Sequence, residues 1–190
     1  MELSREEKHI LLKTARDTIK SLFNPVIKLQ EFNFIDHPIF GSKSGAFVTI
    51  TKYNNLRGCI GYIISDKPLF ETIQDAAIQA ATSDPRFPVL SENEFDEIEL
   101  EISILSEPFP LDNYDDIIVG KHGLILEENF HRGLLLPQVP IEHNLNRDEY
   151  LDALCQKAGL YPYYWKEKQL KLKAFTATVF SEQSIDLEGQ

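Results

Sequence analysis

The stretch GAFVTITKYNNLRGCIGYII, Gly45–Ile64, decides the fold. β-Branched and aromatic residues run from Gly45 to Lys52 and resume from Leu56 to Ile64, with Tyr53-Asn54-Asn55 between them. Asparagine tolerates the left-handed backbone of a tight turn, so the stretch predicts an antiparallel hairpin. With Asn54-Asn55 as a two-residue turn, Lys52 pairs across from Arg57. On a regular strand Arg57 and Cys59 share a face, roughly 6–7 Å apart. Two cations beside a thiol favour the thiolate. Glycine inside a strand marks a bulge or a close approach by another backbone or a ligand, which singles out Gly58 and Gly61. The plainer reading of Cys59 is an inert core thiol, because free cysteine is among the most buried residue types.

Outward from the hairpin, the pattern alternates helices with strands. Ser4 and Glu7 form a capping-box pair opening a helix to Phe23, with Leu11, Ala15, Thr18, Ile19 and Leu22 on one face. Pro68 begins a second helix whose face is narrow and rich in alanine, from Leu69 to Ala81. Ser91-x-x-Glu94 starts a short helical turn. From Glu97 to Glu107 the chain alternates cleanly, with Ile98, Leu100, Ile102 and Ile104 on one side and Glu99, Glu101 and Ser103 on the other: a half-buried strand. Leu124–Glu128 and Gly133–Leu136 flank Asn129–Arg132 as a second hairpin. Asn146 and Glu149 open a helix that Gly159 stops, and one strand over Leu170–Phe180 closes the sheet. Two hairpin–helix–strand units give an α+β class with a duplicated topology, in which residues 1–190 form one domain of two closely packed halves divided at about 108–120.

The chain carries 19 basic and 30 acidic residues, a net charge of −11. That sign disfavours nucleic acid as a general partner and disfavours an anionic membrane. The charged N-terminus has no signal-peptide pattern and no stretch is long and apolar enough to span a bilayer, so the expectation is a cytoplasmic protein with two free thiols, Cys59 and Cys155. The histidines show no metal-ligand spacing, and no cofactor fingerprint appears, so neither a metal nor a cofactor is expected.

Three further segments hold candidate side chains. Asp84-Pro85-Arg86-Phe87-Pro88 is a stiff loop whose Arg86 either clamps an anion or braces the helix exit against Asp84. Gly120-Lys121-His122-Gly123 offers His122 as an acid or base, or as a solvated turn residue. Leu136-Pro137-Gln138-Val139-Pro140 holds the Gln138 amide between prolines. Cys155 falls on a core face. Tyr161, Tyr163, Tyr164 and Trp165 form an aromatic cluster.

Leu56-Arg57-Gly58-Cys59-Ile60-Gly61 resembles the signature hexapeptide of the AMMECR-domain family. Gly45–Thr49, Asp84–Phe87, Glu99–Leu105, His122–Leu124, Leu136–Val139 and Lys157–Leu160 resemble family segments in the same order. The resemblance implies two related β-rich repeats forming one strongly curved, barrel-like, mostly antiparallel sheet with flanking helices. It also implies a place as component A of the three-protein AmmeMemoRadiSam set, beside Memo-type and radical-SAM proteins. His143-Asn144-Leu145 departs from the family where a tryptophan is common.

Two functions follow. One is an accessory or binding protein whose groove beside the hexapeptide takes a small anionic ligand or a partner segment, with Arg57, Gly58, Gly61, Arg86 and Gln138 as its binding residues. The other is an enzyme with Cys59 as nucleophile or redox group, assisted by Arg57 and by His122 as base. A homodimer through an edge strand or the aromatic cluster is a third expectation.

Overall fold

The computed structural model describes residues 3–27, 29, 32 and 34–187. The chain forms two compact units: Met1–Leu105 with Thr178–Gln190, and Ser106–Ala177. The division after Leu105 precedes the 108–120 window, and the return to the first unit at Thr178 has no marker in the order of elements.

In the first unit, α1 (Arg5–Ser21) starts at the expected capping box. The Ser4 hydroxyl accepts from the Glu7 N–H at 3.2 Å, and the Glu7 carboxylate accepts from the Ser4 N–H at 2.8 Å. Its buried face carries Leu11, Leu12, Ala15, Thr18 and Ile19, while Leu22 is exposed at the cap. β1 (Ala46–Lys52) and β2 (Asn55–Tyr62) make the hairpin. α2 (Leu69–Thr82) covers one face of the hairpin with Ala76, Ala77, Ala80 and Ala81, all buried. β3 (Ile98–Leu105) pairs antiparallel with the other side of β1. Val48, Ile50, Leu100 and Ile102 point into the core with Leu11, Ile19 and Ile73. Burial of this apolar face is what holds the sheet to its helices.

The second unit holds β4 (Phe109–Leu111), β5 (Gly123–Glu128), β6 (His131–Leu135), α3 (Val139–Glu142), α4 (Arg147–Lys157), α5 (Tyr164–Glu167) and β7 (Leu172–Phe175). Leu124, Leu126 and Leu172 pack against Tyr150, Leu151 and Leu154 of α4. The chain then enters β8 (Ala177–Ser181), which α6 (Glu182–Leu187) follows.

Two antiparallel sheets result, ordered β2-β1-β3-β8 and β6-β5-β7-β4. Neither closes, which corrects the single barrel-like sheet. The expected strand Leu170–Phe180 is two strands belonging to different sheets. Thr176 interrupts it: its N–H donates to Ser106 Oγ at 3.0 Å and its carbonyl accepts the Ser106 N–H at 2.9 Å, so side-chain and loop partners replace the ladder there. Residues 182–187 form a helix whose first residue, Glu182, accepts from Arg16 at 2.5 and 2.6 Å and from the Leu100 N–H at 2.9 Å.

The two sheets share one wiring. In each, a hairpin is followed by helix, and the next strand pairs with the first strand of the hairpin. In each, a glycine on the second hairpin strand sits beneath the helix. A Cβ on Gly58 would stand 2.3 Å from the Ala80 carbonyl oxygen, and one on Gly133 would stand 2.9 Å from the Leu154 carbonyl oxygen.

Candidate functional site

The hairpin turn is Tyr53-Asn54, both residues left-handed with φ of 50° and 63°. Lys52 therefore faces Asn55 rather than Arg57, which corrects the expected register. Thr51 pairs with Leu56 and Ile50 with Gly58, so Arg57 is the extra residue of a β-bulge. Tyr53 is tolerated at the turn because Asn55 Nδ2 donates to its carbonyl at 3.0 Å and its ring lies 5.7 Å from Lys52 Nζ.

The bulge turns Arg57 toward Glu94. Arg57 Nε and Nη2 donate to the two carboxylate oxygens at 2.9 and 3.0 Å, and Nη1 donates to the Pro88 carbonyl at 2.9 Å. Only 12% of the Arg57 side chain is exposed. The Arg57 fork is the main reason Glu94 is pulled down to about 2, with Ser91 hydrogen bonds adding to it. Lys52 is likewise taken by Glu97 at 2.6 Å. The two cations expected beside the thiol are both spent on acidic partners.

The glycines do not open a cavity either. The Gly58 position is filled by the Ala80 carbonyl, and a Cβ on Gly61 would fall 2.5 Å from the Phe47 ring and 2.3 Å from the Ala46 carbonyl oxygen. Gly58 has a directional effect nonetheless. Because its own side of the strand is pressed on α2, Cys59 projects from the opposite face. There Thr49, its partner on β1, donates from Oγ1 to Sγ at 3.3 Å. Thr49 is also the partner of Glu101 on β3. Cys59, Thr49 and Glu101 thus form one row across three strands, on the face away from α2. Cys59 is partly exposed and Cys155 is fully buried.

The cation that does reach the thiol region is Arg86. Asp84, 5% exposed, accepts the Cys59 N–H at 2.9 Å and receives Arg86 through Nε at 3.0 Å and Nη2 at 2.7 Å. The Arg86 fork, followed by the Cys59 and Arg86 backbone N–H groups, holds the Asp84 carboxyl far below the usual carboxylate range against the opposing effect of burial. Arg86 Nη2 lies 3.5 Å from the Cys59 carbonyl oxygen, and 55% of the Arg86 side chain stays exposed. Its charge is reinforced by the hydrogen-bonded Asp84 carboxylate against the opposing effect of burial.

Glu101 is half-buried, and burial raises its carboxyl above the usual range. No hydrogen bond or ion pair to a described residue reaches it. Alternation in the sequence places Glu101 on a polar face, but only the β1–β3 register brings it to Cys59.

His122 and Gln138 lie in the second unit. His122 is 8% exposed, not a solvated turn residue. Its Nδ1 accepts the Ile118 N–H at 3.3 Å and its ring meets Phe109 edge-on at 5.6 Å. Burial, then the charge of Lys121, lowers its pKa, so the ring is neutral at pH 7. Gln138 caps α3 with its backbone, and its amide makes no hydrogen bond to a described residue. Among the described residues no three histidine, cysteine or acidic side chains cluster as metal ligands, and no helix is long and apolar enough to cross a membrane.

The AMMECR1 family model matches residues 12–180. The chain belongs to the AMMECR1 family. A relative from Methanocella arvoryzae is 40% identical over 188 residues, covering 95% of this chain and 93% of the relative. One from Methanosarcina barkeri is 42% identical with the same coverage. The crystal structure of an uncharacterized protein from Pyrococcus horikoshii superposes with a TM-score of 0.78 at 37% identity, covering 93% of this chain and 92% of the other. AMMECR1 membership fixes the fold and assigns no reaction, so the chemistry of this AMMECR1 domain has to be read from its own side chains.

Proposed function

We propose that the chain is a binding protein whose site lies at Cys59 and takes a small anionic ligand or an acidic partner segment through Arg86. One observation carries this reading. Asp84 fixes the Arg86 fork beside the Cys59 backbone while leaving over half of that side chain in solvent, and Arg86 Nη1 has no partner among the described residues. Arg57, by contrast, has no donor pair left to offer a ligand. The planar guanidinium suits a carboxylate or phosphate. The resemblance to component A makes a Memo-type or radical-SAM protein the partner to test first.

The test compares alkylation of Cys59 by iodoacetate and by iodoacetamide, which differ in one negative charge. A unit charge about 6–8 Å from the incoming anion, in a nearly aqueous dielectric, is worth about 0.6–1 kcal/mol, or about 3–5-fold in rate. Arg86→Gln lowers the iodoacetate rate by that factor and leaves the iodoacetamide rate within about twofold, while Arg86→Lys restores the preference. Equal iodoacetate-to-iodoacetamide ratios in the wild type and Arg86→Gln overturn the reading. So does a Cys59 that reacts no faster than the buried Cys155.

A further inference from the structure

We propose that the row Cys59–Thr49–Glu101 is a catalytic site for acyl transfer from an anionic acyl compound, with Cys59 as nucleophile and Glu101 as the group that gives and retakes the proton. The inference rests on the binding reading above, in which Arg86 holds the negative group of the substrate.

The geometry is set by register. Thr49 stands directly opposite both Cys59 and Glu101, so the three side chains project from the same face on adjacent strands. Strand spacing puts the Cys59 and Glu101 Cα atoms about 9–10 Å apart. A substrate held across that gap would place its carbonyl carbon at the sulfur and its leaving atom at the carboxyl. The Thr49 hydroxyl already donates to Sγ at 3.3 Å, where it stabilises negative charge on sulfur.

Glu101 differs from the other interior acids of its unit. Asp84 has Arg86 and the Cys59 N–H, Glu94 has Arg57 and Ser91, and Glu182 has Arg16 and the Leu100 N–H. Glu101 has none of these, so its carboxyl is free to exchange a proton with a visitor. Burial raises its carboxyl above the usual carboxylate range, and with no partner holding the charged form it is placed to take and return a proton.

The second sheet supplies an internal comparison. Its equivalent of Gly58 is Gly133, and the row that follows is Leu134–Ile125–Lys173, in the same register. The wiring folds with an apolar pair and an exposed lysine at these positions. A thiol, a hydroxyl and an unpaired carboxyl in one row are therefore not a requirement of the architecture.

The steps balance. The Cys59 thiol gives its proton to the Glu101 carboxylate as sulfur attacks the carbonyl carbon; a C–S bond forms, the bond to the leaving group breaks, and the leaving group takes that proton from Glu101. Water then attacks the thioester and gives one proton to the Glu101 carboxylate. The acyl group departs as the acid and the sulfur takes its proton back from Glu101.

The experiment uses the full chain with Cys155→Ser and two probes, p-nitrophenyl succinate and its uncharged analogue p-nitrophenyl propionate. The expected result is acylation of Cys59 detected by intact mass, faster with succinate, followed by slow turnover. Because nitrophenolate leaves without a proton, Glu101→Gln still acylates Cys59, but it slows turnover by about 100-fold, so acyl-Cys59 accumulates. Thr49→Val slows the acylation step itself. If neither probe acylates Cys59, or if Glu101→Gln turns over at the wild-type rate, the catalytic row is overturned. The iodoacetate preference remains an independent measure of the Arg86 site, so binding without catalysis is told apart from neither.

Discussion

Glu94→Gln gives a direct measure of how firmly Arg57 is committed. The Glu94 carboxyl is held at about 2, against 4.5 in an unfolded chain, chiefly by the Arg57 fork. Unscreened, that gap corresponds to about 3 kcal/mol of folding free energy. The pair retains some solvent contact, with 12% of the Arg57 side chain and 21% of the Glu94 side chain exposed, so about 2–3 kcal/mol is the expected value. Because the folded-state pKa is depressed, this stability is fully present above pH 4.5 and is lost as pH falls toward 2. Urea denaturation at pH 7, 5, 4 and 3 reads it. The variant is expected to be about 2 kcal/mol less stable at pH 7, with the difference shrinking steadily below pH 4.5. A variant as stable as the wild type at pH 7, or a deficit that does not change with pH, would mean that Arg57 is not held by this ion pair. It would then return as a candidate ligand group.

Two further substitutions test the scaffold around the site. Gly58→Ala drives a methyl group to 2.3 Å from the Ala80 carbonyl, and the hairpin must shift from α2 at a cost of about 1–3 kcal/mol, seen as a lower Tm; an unchanged Tm refutes the close contact. The buried Tyr150 hydroxyl lies 3.2 Å from the carbonyl oxygens of His122, Leu135 and Leu136, so Tyr150→Phe is expected to cost about 1–2 kcal/mol in chemical denaturation, and a neutral substitution would contradict that role.

What the sequence made legible was local. The capping boxes at Ser4, Ser91 and Asn146 are satisfied within four residues, and α1, the turn after Ser91 and α4 begin where they predict. The hairpin was legible, but its turn was displaced by one residue, because a tyrosine with positive φ is disfavoured and only its partners Asn55 and Lys52 make it acceptable. The site depended on pairings that span long stretches of chain. Glu94 lies 37 residues from Arg57 and Asp84 lies 25 from Cys59, so the spacing could name the cations but not their partners. Glycine was read as a bulge or as close approach by a backbone or a ligand, and at Gly58 the structure has the bulge beside it and a helix backbone against it, not space for a ligand. The occupants, Ala80 and Phe47, come from a helix and a strand whose placement follows from packing rather than from local pattern. Glu101 was visible as a polar-face residue, but its alignment with Thr49 exists only in the β1–β3 register.

β2 lies at the edge of its sheet, and the outward backbone groups of Cys59 meet Asp84 and Arg86 instead of a further strand. Open strand edges recruit other chains, and a charged clasp there blocks self-assembly into extended sheets. Engineering at Asp84 or Arg86 therefore touches colloidal behaviour as well as ligand preference: a variant with a changed selectivity carries an unguarded ribbon, and its yield from concentrated solution will register that before any assay does.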